Sequence, residues 1–238
     1  MVLLLTACVC PDPGVYSLQL TNPSLRLDQY KRAVRFYLDI DCIAKIVFCD
    51  NSNYGGNYDD LIAYANQKGK TLEVLCFSGD FETAVRKGKG FGEGEIINYA
   101  LHNSKLMQHD DYFIKVTGRH IIDNISQIIR NINMKDVYFS PASYKPGNSM
   151  VSTVLFSMKR DYYLEYFRSV HENVDDPHGF YYEHAMFRQL KTIHQKIRFL
   201  FPPVRITLTS SGSTGQKVKT RKVSWFLRYI VSYWKNKY

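Results

Sequence analysis

The chain has 238 residues, 45% hydrophobic and 22% charged, enough for one substantial core and far from the composition of a disordered or fibrous protein. Thirty-one Lys and Arg against 22 Asp and Glu leave a formal charge of +9. Most of that excess lies beyond Gln216, in Lys217, Lys219, Arg221, Lys222, Arg228, Lys235 and Lys237, so the body is near neutral and a nucleic-acid role for it is disfavoured.

In chain order, Leu3 to Cys10 reads as a buried strand. Leu5-Thr6-Ala7-Cys8 resembles a lipoprotein cleavage box, but no basic segment precedes it and its apolar run is too short for a signal core. No stretch of about 18 apolar residues is present to cross a bilayer. Leu27 to Leu38 has helical spacing, Lys45 to Cys49 is a second strand closed by the turn residues Asp50-Asn51-Ser52, Asp59 to Lys68 a second helix, and Leu72 to Cys76 a third strand. A glycine-rich loop then opens a helix at about Glu93 to Asn103. Tyr112 to Val116 is a fourth strand, Ile121 to Asn131 a helix and Val137 to Ser140 a fifth strand. Thr153 to Met158 reads as a strand, Arg160 to Val170 and Phe180 to Ile193 as helices, and Val204 to Leu208 as a return to the sheet. Strands alternating with helices predict a mostly parallel α/β sheet with its ligand site at the strand carboxyl ends.

The five cysteines form no C-x-x-C pair, and Cys8, Cys10, Cys49 and Cys76 fall in apolar runs. They read as core thiols of a reduced, cytoplasmic protein.

Three segments carry chemistry. In Gly88-Lys89-Gly90-Phe91-Gly92-Glu93-Gly94-Glu95, close glycines ahead of a helix let the backbone approach a phosphate, with Arg86, Lys87 and Lys89 supplying charge; a plain helix-entry loop is the alternative. The loop is neither a Walker A nor a dinucleotide fingerprint. In Lys115-Val116-Thr117-Gly118-Arg119, Lys115 and Arg119 could neutralise a leaving diphosphate, or could pair with Asp110, Asp111 or Asp123. In Tyr181-Tyr182-Glu183-His184, Glu183 suits a general base, although a first-turn glutamate is favourable through the helix dipole alone.

Taken together, Cys10-Pro11, Asp50-Asn51-Ser52, the Gly88 to Glu93 loop, Lys115 to Arg119 and Glu183-His184 resemble bacterial GT-A-type glycosyltransferases of capsule and lipopolysaccharide O-antigen clusters, over roughly residues 1 to 216. The resemblance implies a GT-A-like, Rossmann-like sheet and an activated-sugar donor, with a uridine diphosphate sugar favoured and galactose among the candidates. It also implies a polysaccharide or lipid-linked acceptor. It sets Cys10, Pro11, Asp50, Asn51 and Ser52 near the nucleoside, Lys89, Gly90 and Glu93 near the donor, and Lys115, Thr117, Gly118 and Arg119 near the diphosphate. Glu183 becomes the base of an inverting displacement, with Tyr182 and His184 on the acceptor side. The family's metal-holding Asp-x-Asp is replaced by Lys115 to Arg119, which points to cations in place of manganese or magnesium, with metal dependence left open. Asp39-Ile40-Asp41 has the spacing but follows a helix.

Ser210 to Gly215, with Ser213 at its centre, is a small-residue loop that could close over a donor or serve as a linker. Residues 217 to 238 form a separate basic, aromatic tail. Phe226, Tyr229, Ile230, Tyr233 and Trp234 share a helical face flanked by cations, so the segment suits either an anionic membrane surface or docking on the body. A nucleotidyl or phosphoryl transferase, or nucleic-acid binding through the tail, are the other readings.

Overall fold

The computed structural model describes residues 1–141 and 149–207 and, beyond them, residues 209, 210, 217, 218, 225 and 227. Ser213 and the aromatic face of the tail lie outside the described residues.

The chain opens with β1 (Val2–Ala7), a loop, and α1 (Pro23–Leu38), followed by β2 (Lys45–Asp50), α2 (Asp59–Gln67) and β3 (Thr71–Cys76). Next come α3 (Phe81–Lys87), α4 (Lys89–Asn103), the single turn α5 (Lys105–Gln108), β4 (Tyr112–Thr117), α6 (Ile125–Arg130) and β5 (Val137–Pro141). The second half consists of β6 (Val151–Lys159), α7 (Arg160–Tyr166), 3-10 turns at Val170–Asn173 and Asp176–His178, α8 (Tyr182–Thr192) and β7 (Ile197–Phe199). These strands form a seven-stranded sheet in the order β3-β2-β1-β4-β6-β5-β7. All strands of that sheet run the same way except β6, which pairs antiparallel with both β4 and β5. The predicted mostly parallel α/β sheet is thus the observed architecture.

Both sheet faces are covered, and for that reason the strands read as continuous apolar runs rather than alternating ones. Along β1, Leu3, Leu5 and Ala7 enter a core with Tyr30, Tyr37 and Leu38 of α1. Val2 and Leu4 point the other way, into a core with Ile97 and Leu101 of α4 and Tyr182 and Met186 of α8. The edge strand β3 is half exposed. Its inward Glu73 accepts from Ser104 Oγ (2.6 Å) and from the amides of Lys105 and Leu106, capping α5.

Several boundaries differ from the sequence reading for identifiable reasons. Helix α1 starts four residues early because Asn22 Oδ1 caps Leu25 N at 3.1 Å and Pro23 occupies the first turn. The expected loop between β3 and α4 contains α3, started by Asp80, whose carboxylate accepts from Thr83 N at 2.9 Å. The expected strand from Val204 to Leu208 is absent among the described residues 204–207, which contribute a bridge between Ile122 and Ile206, and Leu208 lies outside the described residues. β1 ends at Ala7, so Cys10 is exposed, and Cys76 at the end of the edge strand is exposed too; of the expected core thiols only Cys49 is buried and Cys8 partly so. Of the tail, Trp225 is seen docked, its indole N–H donating to the Pro203 carbonyl at 2.8 Å. Among the described residues, no helix is long and apolar enough to cross a membrane.

Candidate active-site cleft

A cleft of about 270 Å³ opens at the carboxyl ends of β1, β2 and β4, where strand-end loops meet and where the switch in strand order leaves room for a ligand. Its wall includes Thr6, Cys8, Pro11 and Asp12 from the first strand and loop, Asn51 after β2, Lys89, Gly90 and Glu93 of α4, and Thr117, Arg119 and His120 after β4. The reversed strand β6 adds Thr153, and the segment beyond adds Asp176 and Glu183. Because β6 runs against its neighbours, its amino-terminal end lies where the parallel strands finish. That reversal brings Thr153 to the site.

The strand-end triplet divides. Asp50 is fully buried behind the cleft, accepting from Val9 N (2.8 Å), Tyr54 N (3.3 Å) and Ser52 Oγ (2.8 Å), and burial pushes its carboxyl above the usual range despite those bonds. Ser52 Oγ in turn accepts from the amides of Val9 and Cys10. Asp50, Ser52 and the Cys10 amide therefore pin the loop after β1 onto β2, and of the three turn residues only Asn51 faces the cleft.

The glycine row is a packing device rather than a loop around a phosphate. Helix α4 begins at Lys89, so most of the row is helical. A Cβ at Gly94 would lie 2.2 Å from His171 Cβ, and one at Gly90 would lie 2.8 Å from Tyr182 Cβ. At Gly88 (φ 104°) it would overlap the Asp176 carboxylate at 2.2 Å. The glycines let α4 approach the 3-10 segment and α8. The helix amino terminus, where a phosphate was expected, is covered by Asp176, whose carboxylate lies against Gly88 and lines the same cleft. Burial is the main cause that raises the Asp176 carboxyl to about 6.

Lys115 does not reach the cleft surface. Its side chain is 0% exposed, and its ammonium donates to Glu93 Oε1, to Thr117 Oγ1 (3.0 Å) and to the Thr153 carbonyl (2.7 Å). The acid it pairs with is Glu93 of α4, not Asp110, which binds the amino terminus and Lys45, nor Asp123, which pairs with Arg205. Gly118 is also buried, its absent Cβ making room for the Thr6 carbonyl at 2.6 Å. Arg119 does line the cleft, with its guanidinium 5.8 Å from the Tyr30 ring and Nη1 donating to Gln29 Oε1 at 3.0 Å. Arg26, which the sequence reading missed, also lines the cleft and meets the Tyr30 hydroxyl. Its donors go to the carbonyls of Cys8 (2.8 Å) and Leu20 (2.9 Å) and to the Tyr30 hydroxyl (3.4 Å), all neutral acceptors. Its place in the first turn of an amphipathic helix gave no signal of burial. His120 is held near 4 by burial, then by Arg119 and Lys115, so it is neutral at physiological pH.

On the far wall, Glu183 Oε1 accepts from Thr153 Oγ1 at 2.8 Å, and its other oxygen accepts no hydrogen bond among the described residues. Tyr182 is a wall residue whose hydroxyl meets that of Tyr163 at 2.9 Å in the core. His184 points away; its Nδ1 accepts from Tyr181 N at 3.1 Å and its ring stacks on Phe180.

The end of β4 offers Thr117 and Arg119 where the family's Asp-x-Asp would stand, and a guanidinium repels a divalent cation, so this end does not fit a metal on a diphosphate. Asp39 pairs with Lys68 at 2.7 Å beyond the end of α1, outside the cleft.

The fold recurs in solved structures. Glycosyltransferase GlyE of Streptococcus pneumoniae TIGR4 superposes with a TM-score of 0.52 at 10% identity, over 84% of this chain and 45% of that one. Its apo form gives 0.51, 10%, 82% and 44%. The chain has a GT-A-like fold. A nucleoside-diphosphate-sugar pyrophosphorylase from Vibrio cholerae RC9 superposes at 0.48 and 13% identity, over 84% and 91%. The chain spans less than half the length of GlyE. No protein-family model and no curated protein matches the sequence.

Proposed function

We propose that the chain is a nucleotide-sugar-dependent glycosyltransferase that transfers a hexose, with inversion, from a nucleoside diphosphate to a hydroxyl of a glycan or lipid-linked acceptor on the cytoplasmic side of a bacterial membrane. The observation that supports it is the polarity of one cleft. Two arginines, Arg26 and Arg119, stand at the end formed by α1 and the loop after β4, and a Thr153-held carboxylate, Glu183, stands on the opposite wall.

In this reading Glu183 takes the proton of the acceptor hydroxyl as that oxygen bonds to the anomeric carbon. The bond from that carbon to the phosphate oxygen breaks, and the electron pair leaves with the diphosphate. Arg119, with Lys89 at the α4 start, balances the departing charge, and a fixed cation is worth most where water is displaced. Asn51 and Pro11 line the part of the cleft next to the first loop, which suits the nucleoside, and uridine is the base we favour. Membrane attachment through the basic tail belongs to the same proposal.

Glu183→Gln tests the mechanism. It should lower turnover by about 10²- to 10⁴-fold, the usual range for a positioned base, while the affinity for the nucleoside diphosphate stays within about twofold. Near-normal turnover would remove Glu183 from the chemistry.

A further inference from the structure

The buried ion pair beneath the cleft is unexplained by the roles above. Lys115 is 0% exposed and saturated by three acceptors, and it lies 5.8 Å above the Phe156 ring, with no route to a ligand. Its partner is different. Glu93 is 22% exposed and lines the cleft, and its Oε1 takes Lys115 together with Thr117 Oγ1 (3.2 Å) and Thr6 Oγ1 (3.4 Å). Its Oε2 accepts no hydrogen bond among the described residues. One oxygen is therefore fixed from β1 and β4 while the carboxylate remains open on the cleft side.

A buried ion pair is a poor stability device, since apolar residues of similar volume serve as well or better. Here it holds a carboxylate in a single orientation at the base of a cleft. The same lysine bonds the carbonyl of Thr153, whose hydroxyl holds Glu183, so the two carboxylates flank one short stretch of cleft. A group lying there meets acceptors on both sides. The chemistry that satisfies them is a hydroxyl donor, and a negative charge at the same place is repelled.

Resting on the glycosyltransferase reading, we infer that Glu93, oriented by Lys115, is a specificity-determining residue that accepts a hydrogen bond from a hydroxyl of a neutral sugar and rejects sugars bearing a carboxylate at that position. The hydroxyl belongs to the donor's sugar or to the acceptor's, and the experiment separates the two.

Wild type and Glu93→Gln are titrated calorimetrically with UDP, UDP-galactose and UDP-glucuronate, with GDP and GDP-mannose as a second pair, and acceptor KM is measured alongside. A bond to a charged acceptor is worth about tenfold or more. Glu93→Gln should leave UDP within about twofold, weaken UDP-galactose about tenfold, and narrow the gap between UDP-galactose and UDP-glucuronate. Unchanged nucleotide-sugar affinity with a tenfold rise in acceptor KM keeps Glu93 as the reader and assigns the hydroxyl to the acceptor. Equal weakening of UDP and UDP-galactose, or no change in any of these quantities, overturns the inference while the glycosyltransferase reading stands. Failure of wild type to bind any nucleoside diphosphate takes down that reading and this inference with it. Should Glu93→Gln unfold, the double variant Glu93→Gln with Lys115→Met removes both charges and is put through the same titrations.

Discussion

The glycine row can be tested without a substrate, by placing an alanine where packing forbids it and another where packing is more open. In Gly94→Ala the new methyl would lie 2.2 Å from His171 Cβ and 2.6 Å from Cγ, atoms of a buried side chain close to the backbone of its 3-10 turn. Removing a helix-interior glycine gains about 1 kcal/mol. Overpacking a fixed neighbour costs about 1 to 3 kcal/mol and more when backbone must move, and an overlap of this depth lies at the upper end. The net expectation is a loss of about 2 kcal/mol, or about 4 to 8 °C in Tm for a domain of this size. Gly92→Ala, two residues earlier in the same helix, meets only Asn51 Nδ2 at 3.1 Å, the far end of a side chain. There the gain and the crowding nearly cancel, and Tm should stay within about 3 °C. Differential scanning calorimetry of both variants decides the matter. Equal Tm values for the two, or a larger loss for Gly92→Ala, would falsify the packing account and return the row to a ligand-binding role.

Other outcomes follow from the same geometry. The Asp176 carboxyl rises from 3.8 to about 6 in the folded state, so between those values the native protein holds a proton that the unfolded chain has released. Stability from this group therefore falls as pH rises from about 4 to 6, by roughly 3 kcal/mol at full effect, and Asp176→Asn should gain on wild type over that window in urea titrations; a pH-independent difference refutes it. Arg119→Ala should weaken nucleoside diphosphate binding about tenfold, and unchanged affinity by calorimetry removes it from the site. Burial pushes the Cys8 thiol to about 12, so iodoacetamide at pH 8, followed by peptide mass spectrometry, should label the exposed Cys10 and Cys42 well before it. Fast labelling of Cys8 would contradict the burial of that strand end.

Most strands and helices in the first 140 residues were legible because the central strands are covered on both faces and the longer helices show one apolar stripe, both local patterns; the short helix α3 shows no such stripe and reads as a loop in the sequence. Residue chemistry points to Glu183 and Arg119, and the family resemblance to Asn51 and Glu93; all four line the cleft. Which of them reach the cleft was decided in three dimensions. Nothing local distinguishes Lys115, sealed under Glu93, from Arg119, four residues further along, past the end of β4 and lining the cleft; the difference comes from the partners that α4 and β6 bring over Lys115. Arg26, Thr153 and Asp176 carry no motif at all. Arg26 is drawn in by the carbonyls of the loop before it, Thr153 by the reversal of β6, and Asp176 by the bare face that the glycines leave on α4. Chain composition and periodicity determine which elements form, since each depends on neighbours a few residues away. The cleft depends on pairings between residues such as Lys115 and Glu93, or Thr153 and Glu183, whose partners are set by the order and direction of strands, and only the tertiary structure decides those.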